Sequence, residues 1–262
     1  MSPSSQQAKK ATWLVTNLVF VKRSIRHSLR DTEALIMAIV LPIMLMLMFT
    51  YVFGGAIDPG GDYVTYVVPG IILLCAGFGS SSTAVDVAGD MASGIIDRFR
   101  TLPIRSVAVI NGHVVASVVR NSLATAVVFA IALLVGFRPS AHFYEWLGAI
   151  GIILLFILTI TWLFAAIGLL TSSPTAASGY GFALLFLPYL SSAFVPTNTM
   201  PEWLRVIADN QPITPIIETI RGLLTNTPID GSAWWAIGWC ILFLGIALLL
   251  SGWAFQRKSG RR

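Results

Sequence analysis

Charged residues and cysteines are scarce in this sequence. Only 11% of its 262 residues are charged, whereas 56% are hydrophobic and the mean hydropathy is +0.79. This composition fits a chain with several membrane spans rather than a single anchor. The two cysteines, Cys75 and Cys240, both fall inside apolar runs, where a thiol behaves as a small hydrophobic group. We therefore expect neither a disulfide nor a thiolate metal site.

Motifs for nucleotide binding, metal binding and hydrolysis are also missing. No G-x-x-x-x-G-K-[ST] sequence occurs, so this chain cannot build the common phosphate-binding loop for ATP. The histidines His27, His113 and His142 are far apart and fit no H-E-x-x-H pattern, and no G-x-S-x-G elbow occurs. A serine nucleophile within the run Ser80 to Ser82 would need a base within hydrogen-bond reach, and no histidine lies at comparable depth. We expect no catalytic residue, metal or cofactor on this chain.

Long apolar stretches dominate what is present. Four of them run for about 20 residues or more without a charge, and a helix needs about 20 apolar residues to cross a bilayer core. The stretch 146–201 is long enough for two crossings. The sequence therefore predicts an all-α polytopic membrane protein with six transmembrane helices in a single transmembrane domain, 1–262. The predicted spans are 34–54, 63–88, 113–137, 146–170, 176–196 and 233–255.

The segment 9–30 has a different pattern. Apolar residues recur there at spacings of three and four and form one stripe of a helix, with basic residues on the other side. The basic residues are Lys22, Arg23, Arg26 and Arg30. This pattern predicts an amphipathic helix in the membrane interface, where the cationic face meets anionic lipid headgroups. A helix packed on a partner protein is the alternative.

The positions of lysine and arginine predict the orientation. Thirteen of the seventeen fall in the N-terminus, in the region 89–112 or in the C-terminus. Basic residues collect in cytoplasmic loops, so we expect both termini inside the cell, in a multi-pass protein of the plasma membrane. The segments 58–62 and 197–232 are then external. Because the basic residues lie at the ends of spans, the net charge of +5 does not indicate a nucleic-acid partner.

The pattern of residues in the region 89–112 predicts a short amphipathic helix. Ile95, Phe99 and Leu102 share one face, and Pro103 ends the helix. A charged helix with one apolar face, placed between two spans in the cytosol, is suited to docking on a soluble partner. Asp86, near the end of the second predicted span, is a functional candidate because acids at membrane depth are rare.

This region resembles the cytoplasmic coupling region of type 2 ABC exporter permeases. In that family a glycine is followed by an acid three positions on, then by a proline, a basic residue and a glycine that opens the next span. The matching residues are Gly94, Asp97, Pro103, Arg105 and Gly112. The sequence IIDRFRTLP at 95–103 is most similar to that of the daunorubicin-resistance-type drug permeases.

The resemblance covers essentially the whole chain and carries several implications. It implies a cytoplasmic coupling helix, and short external helices in 197–232 that re-enter the membrane. It also implies a permease subunit that moves a hydrophobic drug, natural product or lipid out of the cell. ATP and Mg²⁺ would be bound by a separate ABC ATPase subunit, and a second permease chain, identical or different, would complete the pathway. The implied contacts to the ATPase are Gly94, Asp97, Arg98, Phe99, Arg100, Pro103 and Arg105.

Several alternatives stay open at this point. The exported substrate of such a permease would otherwise be a polysaccharide or a teichoic-type polymer. A non-transporting membrane scaffold for a cytosolic ATPase, or an intramembrane enzyme, belongs to another class. Four polar residues could line a pathway or pack helices together, namely Tyr180, Tyr189, Ser191 and Ser192. Asp86 could line the pathway or pair with a cytoplasmic arginine at the interface. For Arg120, in the third span, we expect the side chain to extend to the interface.

Overall fold

The computed structural model describes residues 32–58, 63–93, 107–229 and 231–259. The predicted interfacial helix 9–30 and the predicted coupling residues 94–105 lie outside the described residues. Within the described ranges all regular structure is helical. The helices are α1 (Thr32–Leu47), α2 (Tyr63–Ala92), α3 (Val107–Val135), α4 (Phe143–Leu170), α5 (Pro174–Leu184), α6 (Glu202–Asn210), α7 (Ile213–Thr225) and α8 (Ser232–Ser259).

Five helical segments in this part of the chain are long and apolar enough to cross a bilayer. They are Leu35–Ile57, Tyr63–Ala92, Ile110–Val135, Phe143–Leu170 and Ser232–Ala254. The first continues α1 through a π-helical turn, Met48–Phe53, and a last α-helical turn, Gly54–Ile57. The chain is therefore an all-helical, multi-pass membrane protein, as the sequence predicts.

Helix α2 is the centre of the structure. It packs against α1, α3, α4 and α5, and most of its side chains are buried. Small residues let neighbouring helices approach it closely. A Cβ atom built on Gly168 of α4, for example, would lie 2.5 Å from the carbonyl oxygen of Ala84. Position 168 therefore accepts only glycine without a shift of the α2 backbone.

The stretch 176–196, expected to be one continuous span, is not a single helix. Helix α5 begins after Ser173, whose hydroxyl caps the N-terminus, and it ends after eleven residues. A 3₁₀ turn, Leu187–Leu190, follows. Pro188 explains the break, because proline has no N–H to continue an α-helix and disfavours the helical conformation of the residue before it.

Two short amphipathic helices, α6 and α7, precede the last long helix, as predicted for the segment 197–232. Helix α7 ends at Asn226, which adopts the left-handed conformation common at helix C-termini (φ 54°). Its apolar face is buried against the long helices. The residues of that face are Ile213, Ile216, Ile217, Ile220 and Leu224. Their insertion into the membrane stays a prediction.

Candidate functional site

A cluster of polar side chains joins three long helices in the interior. Ser80 of α2 lies 3.0 Å (Oγ to Oγ1) from Thr161 of α4, and the amide of Asn121 in α3 donates to Ser80 Oγ at 2.7 Å. Thr83 donates to Ser117 Oγ at 2.7 Å. These five side chains are nearly inaccessible. Because polar groups within a membrane protein need partners, the cluster fixes the relative positions of α2, α3 and α4.

Gly79 provides the space for this cluster. A Cβ atom at position 79 would lie 1.7 Å from Asn121 Oδ1, which is far inside contact distance. The absence of a side chain at Gly79 therefore allows the amide of Asn121 to lie directly against α2. The following serines of α2 then supply hydroxyl groups at the same level of the helix.

Arg120 does not extend to the interface, so the expectation from the sequence is wrong. Only 2% of its surface is exposed. Its Nη2 atom donates to the carbonyl oxygen of Gly79 at 3.0 Å and to Ser82 Oγ. The small residues of α2 leave both the room and the acceptors for the guanidinium between α2 and α3.

A second polar cluster lies at the N-terminal end of α2, far from the predicted coupling region. Arg221 of α7 donates to the carbonyl oxygens of Tyr66 (3.1 Å) and Ser192 (2.7 Å). Its guanidinium stacks over the Tyr66 ring at 3.8 Å from the ring centre, and Nη1 pairs with Glu218 at 2.8 Å. One cation thus holds α7, the start of α2 and the end of the broken segment together.

The candidate pathway residues are not gathered at one place. Tyr180 is 65% exposed on α5, whereas Tyr189 lies beyond the end of α5 and stacks on Phe194, with ring centres 5.2 Å apart. Ser191 and Ser192 are buried, and the Ser191 hydroxyl donates to the carbonyl oxygen of Pro188. Ser191 therefore stabilises the turn after α5. Asp86 is exposed on α2. Lining of a translocation pathway by these residues stays a prediction.

The two helices that flank the predicted coupling region are joined at their ends. Nε2 of His113 in α3 lies 2.8 Å from a carboxylate oxygen of Asp90 in α2. Apolar residues of α2, α3, α4 and α8 pack around the same level, among them Val87, Ile110 and Leu169. A displacement of the region between α2 and α3 would therefore be transmitted to the helix bundle. The sequence gives no local motif for this pair, because its two residues are separated by the whole coupling region.

Comparisons with known proteins agree with this architecture. The profile of a family described as ABC-2 type transporter matches residues 17–225. The chain is 30% identical over 237 residues to the daunorubicin resistance ABC transporter permease protein DrrB1 of Streptomyces coeruleorubidus, covering 90% of this chain and 82% of that protein. It is 26% identical over 246 residues to a probable doxorubicin resistance ABC transporter permease protein, DrrC, of Mycobacterium tuberculosis, covering 92% and 89%. A putative transport permease of Cyanophora paradoxa, ycf38, is 24% identical over 217 residues, covering 80% and 74%.

Proposed function

Because the chain belongs to the ABC-2 type transporter family, we propose that it is the membrane-spanning subunit of an ATP-driven exporter whose motor is a separate ATPase chain. The observation that carries this proposal is the match to permease proteins over about nine tenths of the chain. The chain is a multi-pass membrane permease of an ABC transporter, and it lacks the phosphate-binding loop for ATP. The energy source must then be supplied by another polypeptide, which carries ATP and Mg²⁺.

The exported substrate is a hydrophobic drug, natural product or lipid. Two relatives are described as daunorubicin and doxorubicin resistance permeases, which supports a drug-like substrate. The export pathway forms between this chain and a second permease chain, identical or closely related. A route between two chains is favoured because the described polar groups of this chain are mostly used in its own packing.

Six crossings, with both termini in the cytoplasm, fit the structure and the positive-inside rule. In addition to the five long helices, the broken segment that contains α5 is a crossing, since it runs antiparallel to α2 along most of that helix. The contacts pair Gly77 with Leu185, Gly70 with Ala193, and Tyr63 with Phe194. Near the other end, Ala84 and Ala177 share one apolar cluster. At a rise of about 1.5 Å per residue, the interval from 63 to 84 on α2 measures about 31 Å, which matches a bilayer core of about 30 Å.

ATP-driven closure of the ATPase subunits acts on the coupling region between α2 and α3. The residues proposed to contact the ATPase are Gly94, Asp97, Arg98, Phe99, Arg100, Pro103 and Arg105. The Asp90–His113 contact joins the two helices at the base of this region. A push on the coupling region would therefore move α2 and α3 as one unit, and α4 with them through the buried polar cluster.

Copurification tests the proposal. The tagged permease is expressed with a candidate ABC ATPase from the same organism, purified in a mild detergent, and assayed for ATP hydrolysis with and without daunorubicin. We expect the two chains to elute together, hydrolysis to increase with daunorubicin, and the permease alone to hydrolyse no ATP. ATP hydrolysis by the permease alone would contradict the proposal. Hydrolysis that daunorubicin and other apolar compounds leave unchanged would favour a scaffold or a polymer exporter.

A further inference from the structure

A cavity of about 550 Å³ lies where α6, α7 and the first turns of α8 meet. Its volume is within the range of roughly 300–1,000 Å³ that is typical of small-molecule sites. Two carboxylates, four uncharged polar side chains and two tryptophans contribute to its wall. The cavity is distinct from the interior polar cluster around Asn121 and from the residues proposed to contact the ATPase.

The uncharged polar side chains of the wall donate hydrogen bonds to backbone carbonyl oxygens. In each of the four, a hydroxyl or amide group donates to a nearby carbonyl oxygen. The bonds run from Asn210 to Val206, Gln211 to Leu190, Thr214 to Ala208 and Ser232 to Ile229, at 2.5–2.8 Å. A hydroxyl has one proton to donate but two lone pairs, so Thr214 and Ser232 keep acceptor capacity only. These two hydroxyl groups therefore favour a ligand that donates hydrogen bonds, whereas the amides of Asn210 and Gln211 each keep a second N–H.

Gln211 helps to fix the wall of the cavity. It is only 7% exposed, and its amide nitrogen donates to the carbonyl oxygen of Leu190. Its Oε1 atom is inaccessible, so a ligand in the cavity would contact the other side chains of the wall.

The charged side chains of the wall are both acidic. They are Asp209 and Glu218, and no lysine, arginine or histidine of the described residues lines the cavity. Arg221 contacts only one oxygen of Glu218 and directs its other donors to backbone carbonyls of α2 and the broken segment. Arg205 pairs with Asp209 at 3.4 Å in an exposed position, where such a pair is weak. Carboxylate oxygens of both acids are therefore available to a cation.

Two tryptophans complete the cavity. Trp235 and Trp239 are one turn apart on α8, so both indoles lie on the same side of the helix. Indole faces attract organic cations and also pack against apolar bodies. We propose that this cavity binds an organic ammonium ion carried on an apolar or aromatic body. Such binding needs neither ATP nor a partner chain, so it goes beyond the proposed export function and is tested without it.

Fluorescence anisotropy on the full-length permease in a neutral detergent tests the proposal. The probe is dansylcadaverine, a primary ammonium on an aromatic body, and the matched control is its N-acetylated form, which has the same body without the charge. We expect saturable binding of the amine with a Kd at least tenfold below that of the acetylated control. Asp209→Asn and Trp239→Leu should each raise the Kd of the amine about tenfold.

Glu202→Gln is the control variant, since it removes a carboxylate from the same external segment but not from the cavity wall. It should leave the Kd unchanged. Asp209→Asn carries the test if Trp239→Leu fails to fold, because an exposed carboxylate is replaced by an amide of the same size. Equal affinity for the two probes, or a wild-type Kd in Asp209→Asn with helicity retained, would overturn the proposal.

Nanodiscs distinguish a free amine from a lipid headgroup. If phosphatidylethanolamine nanodiscs weaken dansylcadaverine binding relative to nanodiscs of a neutral galactolipid, which has no ammonium group, the ammonium headgroup of a lipid also occupies the site. Equal affinity in the two lipids assigns the site to the free amine. In both lipids the Asp209→Asn variant must bind more weakly than the wild type, and the proposal fails if it does not.

Discussion

The contact between Gly79 and Asn121 yields the sharpest prediction about stability. A Cβ atom at position 79 would lie 1.7 Å from Asn121 Oδ1, so Gly79→Ala forces the Asn121 side chain or helix α3 to move. Overpacking of this kind costs about 1–3 kcal/mol. Asn121 also donates to Ser80 of α2, and an interhelical hydrogen bond contributes about 0.6 kcal/mol in a membrane protein, whereas its bond to Ser117 lies within α3. We expect Gly79→Ala to lower the free energy of unfolding by about 2–4 kcal/mol.

The assay is a double-mutant cycle, with unfolding in detergent micelles titrated by SDS and followed by far-ultraviolet circular dichroism. Asn121→Ala alone should cost about 1–2 kcal/mol through its two lost hydrogen bonds. The double variant should be no less stable than Asn121→Ala, because the new methyl group occupies vacated space. The coupling free energy between the two positions then equals the cost of Gly79→Ala alone, about 2–4 kcal/mol, which is well above the error of about 0.5 kcal/mol in additivity.

Gly89→Ala is the matched control on the same helix, since a Cβ atom there meets no atom within 4 Å. Alanine has a higher helix propensity than glycine, so this variant should be neutral or more stable by up to about 1 kcal/mol. Equal stability of Gly79→Ala and Gly89→Ala would refute the reasoning, and so would additive losses in the cycle.

Three further predictions concern coupling, the external cluster and topology. Asp97→Lys should abolish transport while the protein still inserts in the membrane, as measured by efflux and by membrane fractionation. Arg221→Ala should lower the free energy of unfolding by about 3 kcal/mol, since the guanidinium is largely buried and bonds to two segments, whereas the exposed Arg205→Ala should cost at most about 0.5 kcal/mol. An impermeant thiol reagent outside the cell should label Gly60→Cys but not Ser259→Cys.

Each of these predictions has a clear contrary result. Transport that persists in Asp97→Lys would place the ATPase contact elsewhere in the chain. Similar thermal stabilities for the two arginine variants would show that the external cluster does not hold α7 in place. Labelling of Ser259→Cys with protection of Gly60→Cys would reverse the topology. The native thiols, Cys75 and Cys240, are buried and should give little background.

The class of the protein and its family could be predicted because their signals are local. Runs of about 20 apolar residues predict long helices without reference to tertiary structure, and the five observed helices confirm them. The resemblance to ABC exporter permeases rests on residues that are close together in the sequence, and the family match confirms it. Hydropathy does not reveal the break in the fifth predicted span, because Pro188 stands in an otherwise apolar run.

The polar clusters were harder to predict because they depend on which helices face each other. Arg120 looked like a residue near a helix end that would extend to the interface. Its burial depends on Gly79 and Ser82, which are about 40 positions earlier in the chain. Arg221 likewise bonds to Tyr66, 155 positions away. Such contacts follow from the packing of α2 against its neighbours, which no periodicity in one segment specifies.

ATP-dependent transport by the reconstituted complex tests the central claim most directly. The permease and its ATPase are placed in liposomes with the ATPase facing outward, and uptake of daunorubicin is followed by its fluorescence. We expect uptake that requires ATP, both chains and an intact Asp97. Sustained ATP hydrolysis by the complex without uptake of daunorubicin or any other apolar compound would contradict it, as would uptake by the permease without the ATPase.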